Sequence, residues 1–301
     1  MKKIIIALIV IVLGVLIIRY FTSDSVKQSG DQTATTTTTT TGDQTSTTPG
    51  VVKKAGETVI GKSVQGNDIT AYHFGKGTKE ILFIGGIHGG YSWNTSLVAY
   101  EAMDYFKATP DIIPANVRVT VIPVLNPDGL KKVMGKTGRV ASADAPATLN
   151  DTVPGRFNAN DVDLNRNFDC DWQTTGTWQS KTVSGGAKAF SEPESRAIKT
   201  YVEANKLTAV VTWYSSAGGV YASSCHNGVS KETDAITKEY ASGSGYPAYQ
   251  SFDFYEITGD MVNWFAKMKI PAISVLLTNH TDTEWIKNKN GINSLLEYYA
   301  D

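Results

Sequence analysis

Four short segments of this 301-residue chain gather the residue types that can do chemistry. The first is Gly85-Gly86-Ile87-His88-Gly89-Gly90-Tyr91-Ser92 and the second is Asn126-Pro127-Asp128-Gly129. The third runs from Arg156 through Asp163-Leu164-Asn165-Arg166-Asn167-Phe168, and the fourth is Phe190-Ser191-Glu192-Pro193-Glu194. An arginine fork beside an amide, as at Asn165-Arg166, can grip a carboxylate in two places. The same arginine could instead pair with Asp163 or Asp169 and do no more than order its loop. His280-Thr281-Asp282-Thr283-Glu284 spaces three metal-ligand types closely, but it also reads as a helix start with acids in its first turn. A serine hydrolase is disfavoured: there is no G-x-S-x-G elbow, and neither Ser215-Ser216 nor Gly243-Ser244-Gly245 has a mapped histidine partner. No P-loop or complete dinucleotide fingerprint is present.

The elements that must position these segments alternate from Val51 onward. Glu80 to Ile84 is an apolar run ending in two glycines, as a buried strand should. Helical spacing over Asn94 to Phe106 separates it from a β-branched strand at Val117 to Val124. Ser191 to Glu194 opens a helix with Ser191 as the cap and Pro193 in the first turn. Leu207 to Trp213 is a third strand, Thr258-Gly259-Asp260 leads into a helix through Phe265, and Ile273 to Leu277 is a fourth strand. Asp282 to Tyr299 closes the chain as a helix. The expected fold is α/β: a single domain with a mixed, largely parallel sheet flanked by helices on both faces. Ligands bind such sheets beyond the C-terminal ends of the strands. The aperiodic stretch from Lys131 to Val162 is long enough to be a functional loop.

Three parts are expected along the chain: residues 1–21 as a membrane anchor or signal, 22–50 as a disordered linker, and 51–301 as the domain. Lys2-Lys3 precede an apolar run over residues 4–18, with Arg19-Tyr20 as an interfacial border. The run is short for a span, and snorkelling by Lys3 and Arg19 would lengthen it. A signal cleaved after export is the alternative. Both place the domain outside the cytoplasm. Residues 22–50 contain a threonine homopolymer, Thr35 to Thr41, and too little apolar surface to fold. Cys170 and Cys225 stand in no metal spacing; outside the cytoplasm they could form a disulfide, or they could be two buried thiols. With 28 Lys+Arg against 29 Asp+Glu, nothing points to nucleic acid.

In combination, His88 after paired glycines, Asn-Pro-Asp-Gly, Asp-x-Asn-Arg-Asn-Phe and Phe-Ser-Glu-Pro-Glu resemble the zinc carboxypeptidase family, the carboxypeptidase A type and its bacterial amidase relatives. The resemblance covers about residues 56–300. It implies a zinc ion on a His-x-x-Glu and a later His, a glutamate as general base, an oxyanion arginine, an Asn-Arg clamp for the peptide carboxylate, and a mobile tyrosine. On this chain His88 matches the first ligand. Tyr91 stands where the glutamate ligand is expected, Tyr214 where the later histidine is expected, and Leu276 where the general base is expected.

The holding parts match better. Asn165 and Arg166 match the clamp, Arg156 the oxyanion arginine, and Asp163 the carboxylate that orients the zinc histidine. Tyr255 matches the closing tyrosine, and Val262 would face an apolar side-chain pocket. The expectation is therefore a catalytically impaired member without zinc, a pseudoenzyme that binds peptide or cell-wall peptide C-terminal ends. An active enzyme with non-standard ligands and a scaffold with a vestigial groove are the alternatives.

Overall fold

The computed structural model describes residues 53–54 and 56–300. The expected anchor and linker lie outside these residues. Among the described residues, no helix is long and apolar enough to cross a membrane.

The described residues hold eleven strands: β1 (Lys53–Lys54), β2 (Glu57–Lys62), β3 (Asp68–Gly75), β4 (Lys79–Ile84), β5 (Val117–Ile122), β6 (Thr175–Trp178), β7 (Lys181–Ser184), β8 (Leu207–Ser215), β9 (Gly219–Ala222), β10 (Ala248–Tyr249) and β11 (Ala272–Leu277). Nine form one sheet in the order β1-β2-β3-β5-β4-β8-β11-β9-β10, and β6 and β7 form a separate hairpin. The centre, β5-β4-β8-β11, is parallel. The flank β1-β2-β3-β5 and the β11-β9 pair are antiparallel. Parallel pairing is thus largely a property of the core rather than of the whole sheet. The centre needs helical crossovers, whereas a short turn connects β2 to β3.

The helices are α1 (Trp93–Ala108), α2 (Pro127–Met134), α3 (Pro193–Ala204), α4 (Lys231–Ser244), α5 (Met261–Lys267) and α6 (Trp285–Tyr298). Strand alternation decides which face each side chain serves. Ile81 and Phe83 of β4, Val211 and Trp213 of β8, and Ile273 and Val275 of β11 share one core with α1, α4 and α6. Leu82, Ile84, Val210, Tyr214 and Leu276 point to the other core, shared with α3, α5 and the Leu164–Phe168 segment. Every central strand is covered on both sides, as its unbroken apolar run requires.

Two helix starts differ from expectation. The cap of α3 is Glu192 rather than Ser191, whose Oγ donates instead to Glu192 Oε1 at 2.7 Å. The last helix begins at Trp285 rather than Asp282. Its would-be first turn is used in local turns: Asn279 Oδ1 accepts from the backbone N–H of Thr281 and Asp282, and Asp282 Oδ1 accepts from that of Glu284. At α5 the expectation holds, with Asp260 Oδ1 accepting from Asn263 N at 2.8 Å.

Candidate functional site

A groove of about 760 Å³ opens at the C-terminal ends of the central strands, and His88, Tyr91, Arg156, Asn165, Arg166, Tyr214, Tyr255, Val262 and Leu276 all line it. Segments more than 180 residues apart in sequence meet here for definite reasons. β4 ends in Gly85-Gly86; Gly86 has φ +64, and a Cβ there would lie 2.5 Å from Ser96 Oγ. Only glycine lets the chain turn sharply against α1 and deliver His88 and Tyr91 to the groove. Tyr214 and Leu276 are register partners near the ends of the parallel strands β8 and β11, on the same face. The clamp turn Leu164–Arg166 is capped by Asp163, whose side chain accepts from Asn165 N. It is pressed against Gly259, where φ is +63 and a Cβ would sit 2.2 Å from Arg166 O.

The other two sequence segments support the site from behind. Asp128 accepts from Ser63 Oγ at 2.5 Å, Gln65 N at 2.9 Å and Asn67 Nδ2 at 2.7 Å, fixing the β2-β3 turn. Glu192 and Glu194 both accept from Asn158 Nδ2, at 2.8 and 3.1 Å, and so hold the loop that carries Arg156.

Asp163 is the electrostatic centre. Arg156 Nε and Nη2 reach Asp163 Oδ2 at 2.9 and 2.8 Å, and all three groups are buried. Burial alone would raise this carboxyl, but Arg156, with His88 and Arg166, holds it well below the usual range. His88 Nε2 stands 3.5 Å from Asp163 Oδ1 without hydrogen-bond alignment, and neither ring nitrogen of His88 has a hydrogen-bond partner. Burial first, and then Arg156, lowers His88 to about 4, so its ring is neutral at pH 7.

Arg156 also stacks, its guanidinium carbon 4.4 Å from the Trp178 ring centre and 5.6 Å from that of Tyr91. In the clamp, Arg166 donates from Nε and Nη2 to Thr177 O at 3.2 and 2.6 Å and from Nη1 to Asn165 O at 2.7 Å. The amide of Asn165 is committed too. Its Nδ2 donates to Asp260 Oδ2 at 2.8 Å, and its Oδ1 accepts from Tyr214 Oη and Met261 N, both at 3.2 Å. Tyr255 lies with its ring 5.9 Å from the Arg166 guanidinium.

Among the groove residues that sequence reasoning did not place are Trp178, Asp260 and His280. Trp178 comes from the β6-β7 hairpin, which has no signature of its own. His280 had been weighed only with Asp282 and Glu284. The structure separates the three: His280 lines the groove with its ring 4.5 Å from that of Tyr91, while Glu284 accepts from Thr278 N and Tyr246 Oη. Burial lowers His280 to about 4. Among the described residues, the one group of three His, Cys, Asp or Glu side chains near enough to share an ion is Cys170, Asp171 and Cys225, and there the two sulfurs are bonded to each other. The choice between disulfide and separate thiols therefore falls to the disulfide.

The profile of the zinc carboxypeptidase family matches residues 45–295. The chain belongs to that family. Among curated relatives, carboxypeptidase Z of Rattus norvegicus is 28% identical over 182 residues, covering 56% of this chain and 26% of that protein. Carboxypeptidase B of Astacus astacus is 29% identical over 160 residues, covering 48% of each. The chain thus spans about a quarter to a half of the length of these relatives.

Among solved structures, the carboxypeptidase A from Helicoverpa armigera superposes with a TM-score of 0.64 at 18% identity, covering 84% of this chain and 69% of that one. The murein-tripeptide amidase MpaA from Escherichia coli O157 superposes at 0.57 and 19%, covering 80% and 90%. These likenesses establish the fold. Members of this family are zinc-dependent, so the donor set beside His88 decides how a metal would fare. At the three matched positions it consists of two phenols and an alkyl chain, with the Asp163 carboxylate 3.5 Å from His88 and the His280 ring 4.5 Å from that of Tyr91. Burial raises the Tyr91 hydroxyl, and burial with nearby Asp260 raises that of Tyr214 well above its ordinary value, so both stay protonated at neutral pH.

Proposed function

We propose that this domain binds the C-terminal carboxylate of peptides in a carboxypeptidase groove and does not hydrolyse them through zinc. The observation that carries the reading is the company of His88: Tyr91, Tyr214 and Leu276 line the same groove where a metal would need two further ligands and a base. In this family zinc supplies an activated water at neutral pH. One imidazole with two protonated phenols does not fit that ion. Leu276 has no lone pair with which to take a proton from water. What remains is suited to holding. Arg166 uses three of its donors on backbone carbonyls, which leaves two of the five on a guanidinium to meet a carboxylate. Arg156 keeps its charge in the groove against two aromatic faces. The likeness to a murein-tripeptide amidase extends the candidate ligands from ordinary peptides to cell-wall peptide ends.

Residues 1–21 are read as the membrane anchor, 22–50 as a tether and 51–301 as the domain held outside the cytoplasm. The Cys170–Cys225 disulfide supports an extracytoplasmic location. The competing reading, an active peptidase with unusual ligands, draws on His280 as a second imidazole beside Tyr91.

Two measurements on the oxidised protein separate them. Metal analysis is expected to find no stoichiometric zinc, and calorimetry to find peptide binding that depends on a free C-terminal carboxylate. Arg166→Ala should weaken that binding by about thirtyfold or more, the loss of about 2 kcal/mol expected for a buried charge partner. Stoichiometric zinc removed by His88→Ala, together with release of a peptide's C-terminal residue, would establish the active enzyme instead.

A further inference from the structure

A second constellation lies outside the groove. Each half of the disulfide is followed directly by a metal-ligand residue: Cys170 by Asp171 and Cys225 by His226. None of the four lines the groove. The two sulfurs and the Asp171 carboxylate lie within 4.8 Å of one another, with Asp171 Oδ2 3.8 Å from Cys170 Sγ. His226 Nε2 contacts Asp171 Oδ1 at 2.7 Å. Both Asp171 (φ 52) and His226 (φ 65) are in the left-handed region, which is costly for a residue with a Cβ, and the two side chains nevertheless meet, Asp171 beside the sulfurs and His226 next to it. The cysteines are buried, whereas the Asp171 and His226 side chains are 49% and 70% exposed and free to turn.

We propose that the reduced chain binds one zinc ion through Cys170, Cys225, Asp171 and His226, so that this crosslink exists in two forms, disulfide and metal bridge. Two thiolates, one imidazole and one carboxylate are all ordinary zinc ligands, and four complete a closed tetrahedral shell. At a Zn–S distance of about 2.3 Å, two thiolates stand about 3.8 Å apart in that geometry. The two sulfurs need only separate by side-chain rotation to reach it.

The chemistry balances. A dithiol donor gives two electrons and two protons, the S–S bond opens to two thiols, and the donor closes its own disulfide. Zinc then displaces the two thiol protons to solvent and parts the Asp171–His226 ion pair, each member turning to the metal. In the reverse direction a disulfide acceptor takes the two electrons from the thiolates and leaves as its dithiol with two protons from solvent, which releases the ion and restores the Cys170–Cys225 disulfide. The consequence reaches the groove: Gly259, which packs on Arg166, donates its N–H to Cys170 O at 2.7 Å, so either form would pin the same clamp segment.

The test uses the full chain, reduced with a phosphine, which takes up oxygen from water as the disulfide opens. After removal of excess zinc, the reduced protein is expected to retain one zinc per chain and the oxidised protein none. Zinc is also expected to raise the midpoint of the reduced chain's cooperative thermal transition, or to restore that transition if reduction alone abolishes it. Cys170→Ser or Cys225→Ser should abolish retention. His226→Ala and Asp171→Asn should each weaken it by about tenfold or more, since even supporting residues of zinc sites cost that much. His88→Ala should leave it unchanged, which separates this site from any metal in the groove. No zinc on the reduced chain, zinc that neither raises nor restores the transition, or affinity indifferent to His226→Ala and Asp171→Asn would overturn the proposal.

Discussion

His88 is the position at which the proposed reading keeps a zinc-ligand residue without a zinc site around it. A zinc ligand is normally buried with one nitrogen on the metal and the other hydrogen-bonded. Here both nitrogens lack partners, and burial with Arg156 nearby holds the ring at about 4 against 6.5 in an unfolded chain. The fold therefore excludes a proton that the unfolded chain takes up between pH 6.5 and 4. Stability from this group is fully present above pH 6.5 and declines as the pH falls through that window. The full difference is about 3 kcal/mol. His280, lowered to the same value by burial, acts in the same direction. Denaturant unfolding from pH 7.5 to 4 is expected to show a decline that His88→Gln partly flattens, because a glutamine has no proton to gain. An identical slope in His88→Gln would mean that the imidazole is not held neutral.

At the scale of elements, the clamp depends on Gly259 more than on any side chain around it. Its φ of +63 and its contact with Arg166 O leave no room for a methyl group. Gly259→Ala should cost about 1–3 kcal/mol of stability, the usual cost of forcing a side chain into that region of backbone space. It should also weaken carboxylate binding by moving the Asn165–Arg166 turn, and calorimetry with thermal unfolding reads both effects. The larger elements were legible in sequence because burial on both faces leaves unbroken apolar runs, as at Glu80 to Ile84 and Ile273 to Leu277. The residues singled out on sequence, from His88 to Leu276, line one groove apart from Asp163, which is buried behind it; their roles belong to the proposed reading. Trp178 was not, because a short exposed hairpin carries no periodicity and its role depends on a cation–π contact made only in the fold. His280 was seen as a metal ligand type, but its separation from Asp282 and Glu284 depends on a turn that the close spacing of the three concealed.

At the scale of the whole molecule, the parallel centre that positions the groove is in place, and the proposed reading puts the departure from the family in the side chains at 91, 214 and 276. The parallel strands β8 and β11 still bring residues 214 and 276 side by side, and Gly86 still turns His88 toward them. Asp163 still stands within reach of the His88 ring. This predicts that the metal site can be rebuilt without altering the backbone. A triple variant, Tyr91→Glu, Tyr214→His and Leu276→Glu, adds two zinc ligands and a base to His88, giving three ligands at the positions the family resemblance implies. The variant also loses the Tyr214–Asn165 hydrogen bond and the edge-to-face contact of Tyr91 with Trp178, so some stability is expected to go with it. In oxidised protein, where the cysteine pair is closed, it should retain one zinc per chain. Adding His88→Ala to the triple variant should remove that ion. If the triple variant folds, as judged by a cooperative thermal transition, and still retains no zinc, then residues 88, 91 and 214 do not face a common point. The groove would then differ from its relatives in backbone as well as in side chains.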